Sequence, residues 1–271
     1  MAEIQTHTVT QAETEMRRKT NHLTTVCIAS VLFIACGLGE KPAAPPQKVS
    51  QDTEPQQSSV SAGKVTDKIQ WVFSAPAGVY FSKSEITAAL YVICQDEGGC
   101  TREPPKAVAA DPACNIGKAE KRDHPANCVS WRDADAFCRY AGGRLPTMKE
   151  WMAELNAGGD VPKPWNSAQK ITCDDLVWAG MHRNGCGKDG TWPVCSKPAG
   201  NSASGICDMS GNVWEWMDVT PEVLKASDDT RFLKGGSWRE TSPNHFSTAF
   251  TRVGKAYEWD ASFGFHCVRE K

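Results

Sequence analysis

Apolar residues recur at helical spacing in three stretches of the chain. From Ser84 to Gln95, Ile86, Leu90, Ile93 and Cys94 fall on one face, and Ser84 stands where an N-cap belongs. From Ser130 to Ala141 the stripe is Ala134, Phe137, Cys138 and Ala141, with Ser130 and Asp133 at capping-box spacing and Gly142-Gly143 as the stop. Thr147 and Glu150 repeat that spacing at the head of a third stretch, which runs to Asn156 before Gly158-Gly159. Near the C-terminus, Phe263, Phe265 and Cys267 alternate with Gly264, His266 and Val268, which predicts a half-buried strand. The rest reads as short strands between long loops. The expected class is α+β with little regular structure, and loops longer than about 15 residues need some other means of support.

The pattern before Trp71 is different. Met16-Arg17-Arg18-Lys19 is a basic patch, followed by an apolar run from Val26 to Ala35 broken only by Ser30. That run is too short for a stable span and fits the apolar region of a signal peptide over residues 1–35, with Met16 as the expected start. It ends in Phe33-Ile34-Ala35-Cys36, which resembles a bacterial lipobox, so Cys36 is the expected lipidation site. An uncleaved N-terminal anchor is the alternative. Gly37 in place of an aspartate implies the outer membrane, with the protein facing the periplasm or the cell surface. Residues 36–68 are rich in Pro, Gln, Ser and Lys and are read as a tether, and residues 69–271 as one globular domain.

Formal net charge is −2, which leaves no basic footprint for a nucleic-acid partner. Ten tryptophans accompany only four tyrosines, and all ten lie from Trp71 onward. Each indole brings an N–H that needs a local acceptor when buried. Twelve cysteines point to an oxidising compartment. With Cys27 in the signal and Cys36 lipidated, ten remain. Proximity in sequence suggests Cys94–Cys100, Cys114–Cys128, Cys173–Cys186 and Cys195–Cys207, although sequence alone does not fix these pairings. No Cys-x-x-Cys spacing and few histidines argue against zinc.

Four strings carry a resemblance to a known family: CVSWRDADAFCRYAGGRLPTMKEW (Cys128 to Trp151), CDMSGNVWEWM (Cys207 to Met217), FLKGGSW (Phe232 to Trp238) and FGFHCVR (Phe263 to Arg269). In this order they resemble the formylglycine-generating enzyme, or sulfatase-modifying factor, family. The resemblance implies an irregular C-type-lectin-like fold and a bridge between Cys138 and Cys267. The family holds both oxidases and non-catalytic binding proteins, so fold alone leaves function open.

In the family's oxidases two cysteines five residues apart, after the GGS turn, bind copper(I), a soft metal suited to thiolates. Here that segment reads GGSWRETSPNHFSTAFTR, Gly235 to Arg252, and the matching positions hold Glu240 and His245. No copper is therefore expected. A carboxylate and an imidazole are ligands for iron or copper in oxygenase triads, so Glu240 and His245 are the candidate residues of an alternative, oxygen-using oxidase. Such a triad needs a further histidine, from His124, His182 or His266. The Trp238–Trp259 segment is the candidate contact surface, offering Trp238, His245, Phe246, Tyr257 and Trp259, with Trp238 itself expected in the core.

The resemblance also implies a structural calcium ion held by Asp208, Gly211, Val213 and Glu215, hard oxygen donors of the kind calcium takes. The competing reading has Asp208 cap a turn and Glu215 pair with an arginine such as Arg144. Asn212 reads as a turn residue. The expectation for the whole is a membrane-tethered lipoprotein that binds an envelope protein or glycan, or supports an envelope assembly, without formylglycine-generating activity.

Overall fold

The structure, a computed structural model, describes residues 64–101, 110–157, 171–180, 185–218 and 229–271. All of them lie within one compact unit, residues 57–271. The signal region, Cys36, Gly158-Gly159 and His182 lie outside the described residues.

The first element is a short helix, α1 (Lys64–Lys68). Val65 on it is fully buried in the main core, so the packed part of the chain reaches into the span assigned to the tether. Strands β1 (Trp71–Ser74) and β2 (Val79–Ser82) follow as a hairpin. Helix α2 (Ala88–Asp96) is capped by Thr87, whose hydroxyl accepts from the Leu90 N–H at 3.2 Å. The expected cap, Ser84, lies outside the helix. Ser84 and Glu85 lie in a bend instead, and Ile86 N–H donates to the Phe265 carbonyl in the core.

Helices α3 (Trp131–Tyr140) and α4 (Met148–Asn156) both carry the full capping box, from Ser130/Asp133 and Thr147/Glu150. Helix α3 buries Ala134, Phe137 and Cys138, and Gly142, at φ 79°, turns the chain away after it.

Five further strands complete two small sheets: β3 (Trp214–Trp216), β4 (Thr230–Lys234), β5 (Arg252–Lys255), β6 (Phe263–Gly264) and β7 (Val268–Arg269). One sheet has the order β1-β2-β7 and the other β5-β4-β3-β6, with β3 and β6 parallel. The 263–268 segment thus belongs to both sheets, and every residue in it is buried. The half-buried strand expected there is instead covered on both sides, because the chain passes through the centre between sheets and helices. The main core gathers Phe137, Trp214, Trp216, Phe263 and Phe265. Phe137 meets Phe265 edge-on at 5.5 Å and stacks on Tyr91 at 5.8 Å. A second cluster, with Phe81, Trp151, Met209 and Met217, lies beneath the β1-β2-β7 sheet.

Disulfides hold what the short elements cannot. Cys94 pairs with Cys100, Cys114 with Cys128, Cys138 with Cys267, Cys173 with Cys186 and Cys195 with Cys207. The Cys138–Cys267 bridge ties α3 to the last strand across a separation of 129 residues. All ten cysteines of the domain are spent in these five bonds.

Candidate functional site

The Glu240–His245 pair is set on a loop with little conformational freedom at its start. Gly235 and Gly236 follow β4 with φ 95° and 76°. A Cβ on Gly236 would stand 2.4 Å from the Phe246 ring, and one on Gly235 would stand 2.9 Å from the Met209 carbonyl. Only glycine suits both positive φ and such close approach. Ser242 then caps a short 3₁₀ turn, Pro243–Phe246, which presents His245.

The two side chains meet. His245 Nδ1 contacts Glu240 Oε2, and Glu240 Oε1 accepts from Trp214 Nε1 at 2.8 Å and Ser237 Oγ at 3.3 Å. Glu240 is therefore held from three sides, and its side chain is 13% exposed against 31% for His245. The imidazole packs on Phe250 at 4.5 Å. A carboxylate on Nδ1 orients the ring and leaves Nε2 for an outside partner. Beside the pair, Lys234 is buried and donates to the carbonyls of Thr248 and Phe250 and to Thr251 Oγ1, which holds the far end of the loop against β4. Burial pushes its ammonium down to about 8.

The contact surface divides. Trp238 is buried, donating from Nε1 to the Ala261 carbonyl at 3.2 Å. Phe246 is also fully buried, packed with Ile171 and Leu176, and is a core residue rather than a contact residue. Tyr257 is exposed and Trp259 partly buried. A cavity of about 790 Å³ opens beside Trp238, Arg239 and Thr241, with Asp111 and Asp189 on its wall.

Of the histidines considered as a third ligand, the two described ones, His124 and His266, lie elsewhere. His124 is buried against Thr191 Oγ1 at 2.9 Å, and burial pushes it down to about 4. His266 is fully buried next to Glu215. Among the described residues no three His, Cys, Asp or Glu side chains gather closely enough to hold a metal ion.

The Asp208–Glu215 loop forms a second polar centre. Asp208, Gly211 and Asn212 all have positive φ. Glu215, central on β3 and fully buried, accepts from Trp151 Nε1 at 3.1 Å. His266 Nδ1 lies 2.9 Å from the same oxygen without hydrogen-bond alignment, and Glu215 Oε1 has no partner. The pairing of Glu215 with Arg144 offered by the competing reading does not occur. Arg144 instead binds Glu150, which stands at the head of α4, and Glu270 near the C-terminus.

Sequence reasoning missed Glu85. It is buried, and it accepts from Asn212 Nδ2 at 2.6 Å and from the Val213 N–H at 3.1 Å. No local signal marks it, since it follows the polar Ser82-Lys83-Ser84 and looks like a solvated turn residue. Burial raises its carboxyl well above the usual range, and Asp208 and Glu215 raise it further. Burial pushes Asp208 up to about 6, with Glu215 adding to the shift.

Three buried carboxylates thus share one region, and no lysine or arginine among the described residues is paired to them. Buried charges of one sign call for a counterion or a proton. The partnerless Glu215 oxygen and the acidic balance fit a hard cation. Such an ion would take the carboxylates of Asp208 and Glu215 and the carbonyls of Gly211 and Val213.

Residues 42–271 match the sulfatase-modifying factor enzyme 1-like domain. The chain belongs to this family. It is 37% identical over 175 residues to the inactive C-alpha-formylglycine-generating enzyme 2 of Mus musculus, covering 60% of this chain and 55% of that protein. It is 35% identical over 177 residues to the formylglycine-generating enzyme of Thermomonospora curvata, covering 56% and 57%. Against the hercynine oxygenase of Mycolicibacterium smegmatis it is 33% identical, over 43% of this chain and 31% of that one. The chain spans about half the length of the curated relatives it matches first. Among solved structures, PvdO from Pseudomonas aeruginosa superposes with a TM-score of 0.55 at 20% identity, covering 71% of this chain and 80% of that one. Treponema denticola variable protein 1 does so at 0.52 and 17% identity, covering 74% and 91%. These likenesses establish the fold, the C-type-lectin-like arrangement of the formylglycine-generating enzymes.

Proposed function

We propose that this chain is a membrane-tethered member of the family that acts as an envelope binding or structural domain, without copper-thiolate chemistry. The observation that carries the reading is the Glu240–His245 pair. It occupies the positions that the family resemblance gives to two thiols, and all ten cysteines of the domain are in disulfides. A soft copper(I) ion has no thiolate to bind there. The relative named inactive, from Mus musculus, supports the same reading.

The loops around the pair are already braced by glycines, Lys234 and disulfides. A braced surface loses little conformational entropy on meeting a partner. The partner is an envelope protein or glycan, met at the face of Tyr257 and His245 and the cavity beside Trp238. Calcium, held by Asp208, Gly211, Val213 and Glu215, neutralises the buried carboxylates and stiffens the loop before β3. Cys36 carries the lipid, and the domain faces the periplasm or the surface from the outer membrane.

A second reading, an oxygen-using metal-dependent oxidase, draws on the same pair, since His245 Nε2 is oriented as a metal-ligating nitrogen. The likeness to a hercynine oxygenase favours it. Metal analysis of the purified full chain separates the two. The binding reading expects calcium and no stoichiometric redox metal. Stoichiometric iron or copper that disappears in His245→Ala would establish the oxidase instead.

A further inference from the structure

The β1-β2-β7 sheet has two unlike faces. Its inner face sends Val72, Val79, Phe81 and Val268 into the second core cluster. Alternation along the strands puts Phe73, Tyr80 and Arg269 on the other face, with Trp71 at its edge, part-buried against the main core. The register sets Phe73 opposite Tyr80, and Tyr80 opposite Arg269. Cations and rings interleave there. The Arg269 guanidinium lies 4.7 Å from the Trp71 ring centre and 5.4 Å from that of Tyr80, and Lys271 Nζ lies 5.1 Å from Phe73. Phe73 and Tyr80 are 5.2 Å apart, and Phe73 is 38% exposed, one of three large apolar side chains so exposed among the described residues. No carboxylate among the described residues pairs with Arg269 or Lys271, since Glu270 between them turns to Arg144 on the other side.

We propose that this face rests on an anionic phospholipid surface. The Tyr80 ring, with its polar edge, suits headgroup depth, the exposed Phe73 ring beside it suits the apolar boundary just below, and Arg269 and Lys271 meet phosphate and are drawn to an anionic leaflet. The position in the chain points to the same occupant, in a step that rests on the lipid-anchored reading of Cys36. Only 27 residues separate Cys36 from Lys64, where the described fold begins. A chain of that length cannot carry the domain more than roughly 95 Å from its anchor. Within that radius the effective concentration of membrane is high, so a modest surface affinity is enough to orient the domain. The face is built on the first two strands after the tether, so it stands close in sequence to the anchor.

The test uses the full chain with Cys36→Ser, so that no lipid contributes and the anchor is judged separately by the mass of the unmodified protein from membranes. Sedimentation is measured with vesicles of phosphatidylcholine alone and of equal parts phosphatidylcholine and phosphatidylglycerol. The expected result is binding to the mixed vesicles only, weakened by salt and reduced about fivefold by Arg269→Gln, with a similar loss for Phe73→Ser. Unchanged thermal midpoints in both variants show that they fold. Equal binding to the two vesicle types, no binding to either, or wild-type binding by both variants overturns the proposal. Retention on isolated peptidoglycan without vesicle binding also overturns it and assigns the face to a glycan.

Discussion

The His245 imidazole rests on the Glu240 carboxylate through Nδ1, and the other oxygen of that carboxylate is claimed by the buried Trp214 indole. The pair is thereby coupled to the central strand. Removing Glu240 strands a buried N–H, whereas removing His245 takes away a partly exposed ring and leaves no buried donor unmatched. Glu240→Ala is expected to cost roughly 1–3 kcal/mol in urea unfolding, the desolvation penalty of an unmatched donor. His245→Ala should cost clearly less. Equal losses would show that Trp214 does not depend on Glu240.

The Cys138–Cys267 bridge closes the longest loop of the five, and both residues are fully buried. Chain entropy sets an upper figure of about 5 kcal/mol for such a closure. The Cys138→Ala/Cys267→Ala protein should lose several kcal/mol, more than the Cys94→Ala/Cys100→Ala protein, whose bridge closes only a short turn. Denaturant midpoints under non-reducing conditions make the comparison.

Much of this frame was legible in the sequence, and the reason is local. The helices α3 and α4 announce themselves through capping boxes that need only four consecutive residues. The α2 start was misplaced because Ser84 and Thr87 both suit a cap, and the choice fell to a distant partner, Phe265, whose carbonyl takes the Ile86 N–H and keeps that residue out of the helix. The Glu240 and His245 positions came from a family pattern, but their contact needed the 3₁₀ turn at Pro243–Phe246. Glu85 was invisible for the opposite reason. Its partners Asn212 and Val213 are more than 120 residues away, and no local spacing encodes them.

His124 supplies a pH signature. Its folded pKa is pushed down to about 4, first by burial and then by Lys121 and Lys188, against an unfolded value near 6.5. The fold therefore favours the neutral ring. Its stabilising contribution is complete above the unfolded pKa and is lost as pH falls from there towards 4. Thermal midpoints should drop across that window in the wild type, and less steeply in His124→Asn.

Calcium should act on the buried carboxylates. Raising free calcium at neutral pH is expected to raise the thermal midpoint, since an ion that binds only the folded state stabilises it by mass action. Asp208→Asn should blunt the response. Magnesium at the same concentration should do less, as it demands a tighter octahedral shell. A midpoint indifferent to calcium would remove the ion from the account and leave protons as the neutralising species.

The central claim is that an acid and an imidazole have displaced the thiol pair and with it the family's oxidation. The most direct measurement incubates the purified full chain with copper(I), oxygen and a cysteine-bearing sulfatase peptide, and follows the peptide by mass spectrometry. Unconverted cysteine is the predicted result. Steady accumulation of the formylglycine aldehyde, abolished by Glu240→Ala or His245→Ala, would contradict it.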